Sequence, residues 1–212
     1  MLKIASWCVA VLILSGCATG RDTLDVRVEV PVNPDTSNAV VIRSIVDGRS
    51  FEVDPRQADI PSLSDEDIDN PAITSRAVAR KRNSFGAAMG DILLPEGRTV
   101  SALVGEALTK TFRENGFAVY SSDESAPAGA LDLDVEIERF WAWFRPGFAR
   151  IAMEFAGAVK ITPNPVNRSG DMRINGQSRV QGQAATTSNW QETIDLGLES
   201  LMEDMAEQLR LE

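Results

Sequence analysis

The chain has 212 residues, with 21 Lys and Arg against 31 Asp and Glu, two cysteines and no histidine. Without histidine, Ser-His-Asp and Cys-His triads, His-ligated zinc and histidine general bases are excluded; the formal charge of −10 argues against nucleic acid, whose phosphates need clustered Lys and Arg. With 43% apolar residues, a chain of this length is expected to build one compact domain with extensions.

In chain order, Met1-Leu-Lys3 is a short cationic start before an apolar run from Ile4 to Leu14. A run of about 11 residues makes roughly 16 Å of helix against about 30 Å of bilayer hydrocarbon, the length of a signal-peptide core and not of a span. It ends in Leu14-Ser15-Gly16-Cys17, which resembles the bacterial lipobox. In that motif the cysteine sulfur takes a diacylglyceryl group and the cysteine becomes the first mature residue. The expected division is a signal peptide over 1–16, a lipidated N-terminus, tether and extended arm over 17–38, and a single domain over 39–212. Cys8 leaves with the signal peptide and Cys17 carries lipid, so no disulfide forms within one mature chain. At about 0.8 kcal/mol per buried acyl CH2, several chains on one cysteine make a permanent anchor. Ala18 after the cysteine, in place of Asp, favours the outer membrane and its periplasmic face, by resemblance to the enterobacterial sorting rule.

Residues 25–32 alternate, with Val26, Val28, Val30 and Val32 opposite Asp25, Arg27 and Glu29, which predicts a half-buried strand or arm. Pro31 and Pro34 put it at an edge. Residues 39–47 predict a strand closed by Gly48 and extended beyond a bulge by Phe51-Glu-Val53. The polar stretch 54–98, punctuated by Pro55, Pro61 and Pro71, predicts an irregular insertion. Thr99 caps a helix running to Asn115, with Val100, Leu103, Val104, Ala107, Leu108 and Phe112 on one stripe and Gly116 as its stop. A short strand follows over 117–121. Leu131, Leu133, Val135 and Ile137 then alternate with Asp132, Asp134, Glu136 and Glu138 in a strand that continues to Phe144. Arg145-Pro-Gly147 turns it into a return strand over 148–161, and a further strand covers 173–184. Ser188-x-x-Gln191 reads as a capping box for a last helix to about Arg210, with Trp190, Ile194, Leu198, Leu201, Met205 and Leu209 inward. The order predicts an α+β fold: a mostly antiparallel four- to five-stranded sheet with two helices packed on one face, preceded by the lipoprotein signal peptide and a short tether.

This layout resembles the YajG-type family of small bacterial lipoproteins. The resemblance rests on Leu-Ser-Gly-Cys17-Ala, the Val-rich arm before Pro31, Val40-Val-Ile-Arg-Ser-Ile-Val-Asp-Gly-Arg49, the helix ending Glu114-Asn-Gly-Phe-Ala-Val119, the long hairpin and the Trp190-led helix. It implies an outer-membrane lipoprotein without an established enzymatic activity, in which the lipidated cysteine carries over and no other functional residue does.

Within the domain, the run from Arg139 to Phe148 is the most informative segment. Continued alternation puts Trp141 and Trp143 on the Leu131–Ile137 face and Phe140 and Phe144 outside. These four aromatics are either cross-strand packing or an aromatic binding surface for a lipid interface, a glycan or a protein. Ala152, Glu154, Ala156, Ala158 and Lys160 are expected on the outer sheet face, between an acidic strand and an Arg- and Gln-rich one, where small residues framed by opposite charge could seat a partner. The four acidic residues 132–138 could offer a glycosidase pair, but a sheet wet on one side produces the same spacing. Asp65-Glu-Asp67-Ile-Asp69-Asn70 opens like a calcium loop, yet Asn70 and Arg76 stand where glycine and a bidentate acid are needed. The basic Lys81-Arg82 block near Gly86 and Gly90 could meet anionic headgroups.

The sequence therefore predicts a non-catalytic interaction or assembly module of the cell envelope, anchored to the outer membrane, with an envelope protein as partner. It implies no cofactor, no metal, no catalytic residue and no nucleic acid, and leaves homo-oligomer formation open. A lipid- or glycan-binding accessory of an envelope transport system is the alternative.

Overall fold

The computed structural model describes residues 20–211 apart from 84, 148–149 and 165–169. The expected signal peptide and the expected lipidation site, Cys17, lie outside the described residues. Strand β1 (Asp22–Thr23) precedes β2 (Ala39–Asp47), the short β3 (Glu52–Val53) and β4 (Ser62–Leu63), and the one-turn helix α1 (Pro71–Thr74). Then come β5 (Ala77–Arg82), β6 (Ala88–Leu93), α2 (Val100–Glu114) and β7 (Ala118–Ser121). The long strands β8 (Leu131–Arg145), β9 (Ile151–Asn164) and β10 (Met172–Gly182) lead into α3 (Thr187–Leu211).

These elements correct the expected fold class. In place of a mostly antiparallel four- to five-stranded sheet with two helices, the described residues form a mixed eight-stranded sheet, a separate two-stranded β3–β4 ladder and three helices. Along one edge β8 pairs antiparallel with β9, which pairs with β10. Its other edge is shared: parallel β2 follows its first half, from Leu131 to Ile137, and parallel β5 meets it at Ala142. β7 lies parallel beyond β2, while β6 and then β1 lie beyond β5. Periodicity gives the face of a strand but not the direction of its partner, so the parallel pairs left no mark in the sequence. Strands β5 and β6 fell inside the expected irregular insertion. Ala77 to Arg80 is covered on both faces, so it does not alternate, and its two alanines are poor in strand propensity.

Helices α2 and α3 share the main core with the inner face of the sheet, around Leu103, Phe112, Ile137, Phe140, Phe155 and Trp190. Thr99 caps α2 as expected, its hydroxyl accepting from the Ala102 amide at 3.1 Å. The cap of α3 falls two residues earlier than the Ser188 box: Thr186 accepts from Asn189 and Trp190, while Gln191 reaches forward to Asp195. The N-terminal arm buries Leu24 and Val26 against the same core and then exposes Val32. Arg98 and Arg113 of the α2 region hold it by the carbonyls of Val26 and Pro31.

A second apolar cluster lies on the opposite face, where residues 48–76 cover the end of the sheet with Leu63 and Ile73 over Trp141 and Leu93. This excursion leaves at the end of β2 and returns at β5, on the same edge of β8. Arg49 fills the break. Its side chain is fully buried, and Nε and Nη2 donate to the two carboxylate oxygens of Asp47 at 2.7 Å each. The remaining N–H groups donate to the carbonyls of Thr74 (2.9 Å), Ala77 (2.6 Å) and Phe140 (3.1 Å). All five donors of the guanidinium are thus used, and the ring of Phe51 covers it at 5.2 Å.

Two predictions follow from this packing. Replacing Arg49 by Ala strands three carbonyls, those of Ala77 and Phe140 buried, and urea unfolding is expected to show a loss of about 3–5 kcal/mol; a loss under about 1 kcal/mol contradicts the role. Elsewhere, α3 sits so close to β10 that a Cβ on Gly176 would lie 2.5 Å from the Gly197 carbonyl oxygen and 2.8 Å from the Leu201 amide nitrogen. Both obstacles are backbone, so Gly176→Ala is expected to cost about 1–3 kcal/mol by pushing the helix outward; a neutral or stabilising effect in the same assay refutes that.

Candidate functional site

The alternation of β8 does not run through to Phe144. The register against β9 steps from Ile137–Val159 to Arg139–Ala158, leaving Glu138 as an extra residue. Such a bulge exchanges the two faces beyond it. Phe140, Ala142 and Phe144 therefore join the main core, and Trp141 and Trp143 turn to the outer face, the reverse of the expected arrangement. Phe140 is fully buried, its ring edge-on to Phe155 at 4.8 Å. Trp141 is also fully buried, under Phe51, with its indole N–H donating to the Ala58 carbonyl at 3.3 Å. Phe144 is half-buried against the main core, and Trp143 is half-buried at the margin of the outer cluster. Of the four aromatics expected to share a surface, two are interior and the other two lie on opposite faces.

What remains open is the outer face of β8, β9 and β10 beside residues 48–76. Ala156 and Ala158 form its low centre, opposite Gln177 and Asn175 on β10. Charged pairs frame them across the strands. Glu154, almost fully buried, accepts from Arg145 at 2.9 Å and lies 3.6 Å from Arg179. Arg173 donates to Glu138 at 2.6 Å, and Lys160 meets Asp171 at 2.9 Å. That lysine, by its hydrogen bond, holds the Asp171 carboxyl below the usual carboxylate range. Arg139 donates to the Asp59 carbonyl at 2.7 Å and lies over the Trp143 ring at 5.4 Å. Asp59, Arg139, Trp143, Glu154, Ala156 and Arg179 line a shallow open hollow of about 590 Å³. The arrangement offers a flat, hydrated floor with paired charges at fixed positions and one aromatic edge.

The other sequence candidates are engaged locally. Asp132 is held by Arg43 at 2.7 Å, and Asp134 accepts from the Ser44 hydroxyl. Asp67 accepts from Ser64 and Arg21, while Asn70 caps α1. Among the described residues no group of three or more acidic or thiol side chains could hold a metal ion. Sequence reading missed the Asp47–Arg49 fork, although two opposite charges two residues apart at a strand end were visible. It also missed Arg139 and Asp59, which meet across 80 residues of chain.

No family model and no curated protein matches the chain. Among solved structures it is similar to an uncharacterized protein, at 8% identity and a TM-score of 0.46, over 90% of this chain and 98% of that one. It is also similar to a "putative neuraminyllactose-binding hemagglutinin homolog from Helicobacter pylori", at 10% identity and a TM-score of 0.39, over 88% of this chain and 91% of that one. Likeness at this level carries no argument about function.

The framing charges are expected to order this face and to add little stability. Glu154→Gln leaves Arg145 and Arg179 facing each other and should lower the urea-unfolding free energy by about 1 kcal/mol, an effect that shrinks with added salt. A salt-independent loss of several kcal/mol would mean that Glu154 acts as a packing residue instead.

Proposed function

We propose that this chain is a lipoprotein held at the periplasmic face of the outer membrane by Cys17. It works there as a non-catalytic interaction or assembly module whose working surface is the open face of β8, β9 and β10. The observation that carries this reading is the stripe Ala156–Ala158, low and half-buried, flanked by Trp141 and Arg139 on β8 and by Gln177 and Asn175 on β10, with ion pairs of Glu154 and of Glu138 with Arg173 at its two ends. Small side chains let a partner's backbone or side chains approach closely, and the fixed charges give register and orientation more than raw affinity. The ion pairs that hold Asp132 and Glu138, with the Ser44 hydroxyl on Asp134, favour this reading over an acid–base pair. Membrane attachment rests on the lipobox and on the resemblance to YajG-type lipoproteins.

A second reading, a lipid- or glycan-binding accessory of an envelope transport system, draws on Trp143. Its ring borders the hollow and could stack on a sugar, although Arg139 already lies over it. The deep apolar cleft that such a ligand prefers is not offered at Trp141, which is closed over by Phe51.

Two measurements test the proposal. Cys17→Ser should move the protein from the membrane to the soluble fraction, and a correctly processed wild type that is already soluble refutes the anchor. With a photoreactive residue at position 156, crosslinking in intact cells should give one discrete protein adduct, sensitive to Arg179→Glu. Adducts to lipid or glycan alone support the second reading, and a wild type that gives no adduct contradicts both.

A further inference from the structure

The N-terminal arm enters the sheet at one particular place. Gly20 donates its amide to the Met89 carbonyl at 2.9 Å, and β1 runs parallel to β6 from there, with Asp22 opposite Ile92. Gly90 makes the contact feasible. Its φ is +141°, and a Cβ there would lie 1.9 Å from the Gly20 carbonyl oxygen. Because β1 and β6 are parallel, Gly20 lies at the end of β1 nearest the turn that joins β5 to β6. Cys17 is three residues before Gly20, a reach of at most about 11 Å. The lipid anchor and the β5–β6 turn are therefore neighbours, whatever path those three residues take.

That turn is built unlike the rest of a surface with a strong acidic excess. Asn83 closes it by accepting from the amides of Phe85 and Ala87, and Phe85 stands at its tip 94% exposed. Beneath the tip, Arg56, Arg80 and Arg82 line an open hollow of about 550 Å³, with Asp54 as its acidic residue. Arg82 fixes the walls, donating to the carbonyls of Pro55 and Gly86 and to the Ser62 hydroxyl. Arg80 is 92% buried by its 8% exposure; Asp54 and Asp91 approach it only to 3.8 and 3.7 Å, and its Nε and Nη1 have no hydrogen-bond partner. Burial, and then the charge of Arg80, push the Arg82 guanidinium below its usual range. An exposed aromatic tip over three clustered guanidinium groups, one of them with two unpartnered nitrogens, matches a headgroup layer, with acyl chains to take the ring and phosphates to take the charge.

We propose that the β5–β6 turn is the membrane-facing end of the domain: Phe85 enters the headgroup–acyl boundary of the leaflet that holds the anchor, and Arg56, Arg80 and Arg82 receive the phosphate of an anionic phospholipid. This deepens the proposed function and rests on its lipidated Cys17. It fixes an orientation, with the acidic bulk of the domain turned away from the anionic surface. The open face of β8 to β10 then stands along the side of the domain, reachable from the periplasm.

The test uses the lipidated chain isolated from envelopes, in which an introduced cysteine is the one free thiol. Ala87→Cys carries an environment-sensitive fluorophore, and Ser125→Cys carries the same label at the other end of β8, roughly 45 Å of strand away. Both proteins are placed in vesicles of phosphatidylcholine alone or mixed with phosphatidylglycerol. The label at position 87 should shift to the blue and be quenched by nitroxide lipids, while the label at 125 should not. Phe85→Ser should remove that quenching on both vesicles; Arg56→Glu should weaken it only where phosphatidylglycerol is present, as should added salt. If the chain floats with vesicles while the label at 87 stays as wet as that at 125, the orientation is overturned and the anchor survives. If the label at 87 is shielded in native envelopes but not on pure lipid, a protein covers the turn and the proposal also falls. A Cys17 peptide without acyl mass overturns anchor and orientation together.

Discussion

A guanidinium replaces the backbone ladder where the edge of β8 passes from β2 to β5. Strand β2 stops at Asp47 and β5 begins at Ala77, both on the same edge of β8, and the carbonyls at the junction would face a gap. Arg49 closes it, with two N–H groups on Asp47 and three on main-chain carbonyls of the excursion, β5 and β8. A buried ion pair alone is weak evidence for stability, because desolvation offsets the attraction. Here the geometry is complete and the partners are groups that would otherwise be unsatisfied, so the pair organises the fold even where its net contribution is modest. A lysine in the same place could neither fork onto Asp47 nor reach three carbonyls at once.

From that closure the two halves of the outer sheet face take different roles. Beside Arg49, residues 48–76 fold down and bury Trp141 under Phe51, Leu63 and Ile73, which makes the stretch Phe140 to Ala142 of β8 interior on both sides. The neighbouring β9 and β10 receive no such cover and keep alanine, paired charges and amide side chains. The bulge at Glu138 joins these halves, because it turns the tryptophans outward where the cover waits for them. On the inner face, Gly176 and Gly197 bring α3 down onto the sheet so closely that Phe155 packs against the helix backbone.

How far the sequence could carry this depended on the physical signal each element emits. α2, β8, β9, β10 and α3 were legible because each buries one side and wets the other, leaving a period of 3.6 or 2. β5 and β6 left no period, since Ala77 to Arg80 is enclosed on both faces by neighbours distant in sequence. Parallel pairing was invisible for a related reason: the β2–β8 contact joins residues about 90 apart and depends on a crossover route. At the site, the small-residue stripe on β9 could be read from alternation, but its expected place beside the acidic residues of β8 is displaced, because the bulge sets Arg139 and Trp141 opposite Ala158 and Ala156. The face taken by Trp141 and Trp143 could not, since one inserted residue at position 138 reverses it and composition does not report the insertion. Arg49 was in plain view as a charge after a strand, but its five hydrogen bonds reach four residues in three separate stretches of chain.

The most direct measurement of the central claim, that Arg49 holds the excursion onto the sheet as one unit, is amide hydrogen exchange of the full mature chain carrying Arg49→Lys, compared with wild type. The account predicts faster exchange over residues 50–82 while β9, β10 and α3 keep their protection. Protection unchanged throughout, or lost evenly across the whole sheet, would contradict it.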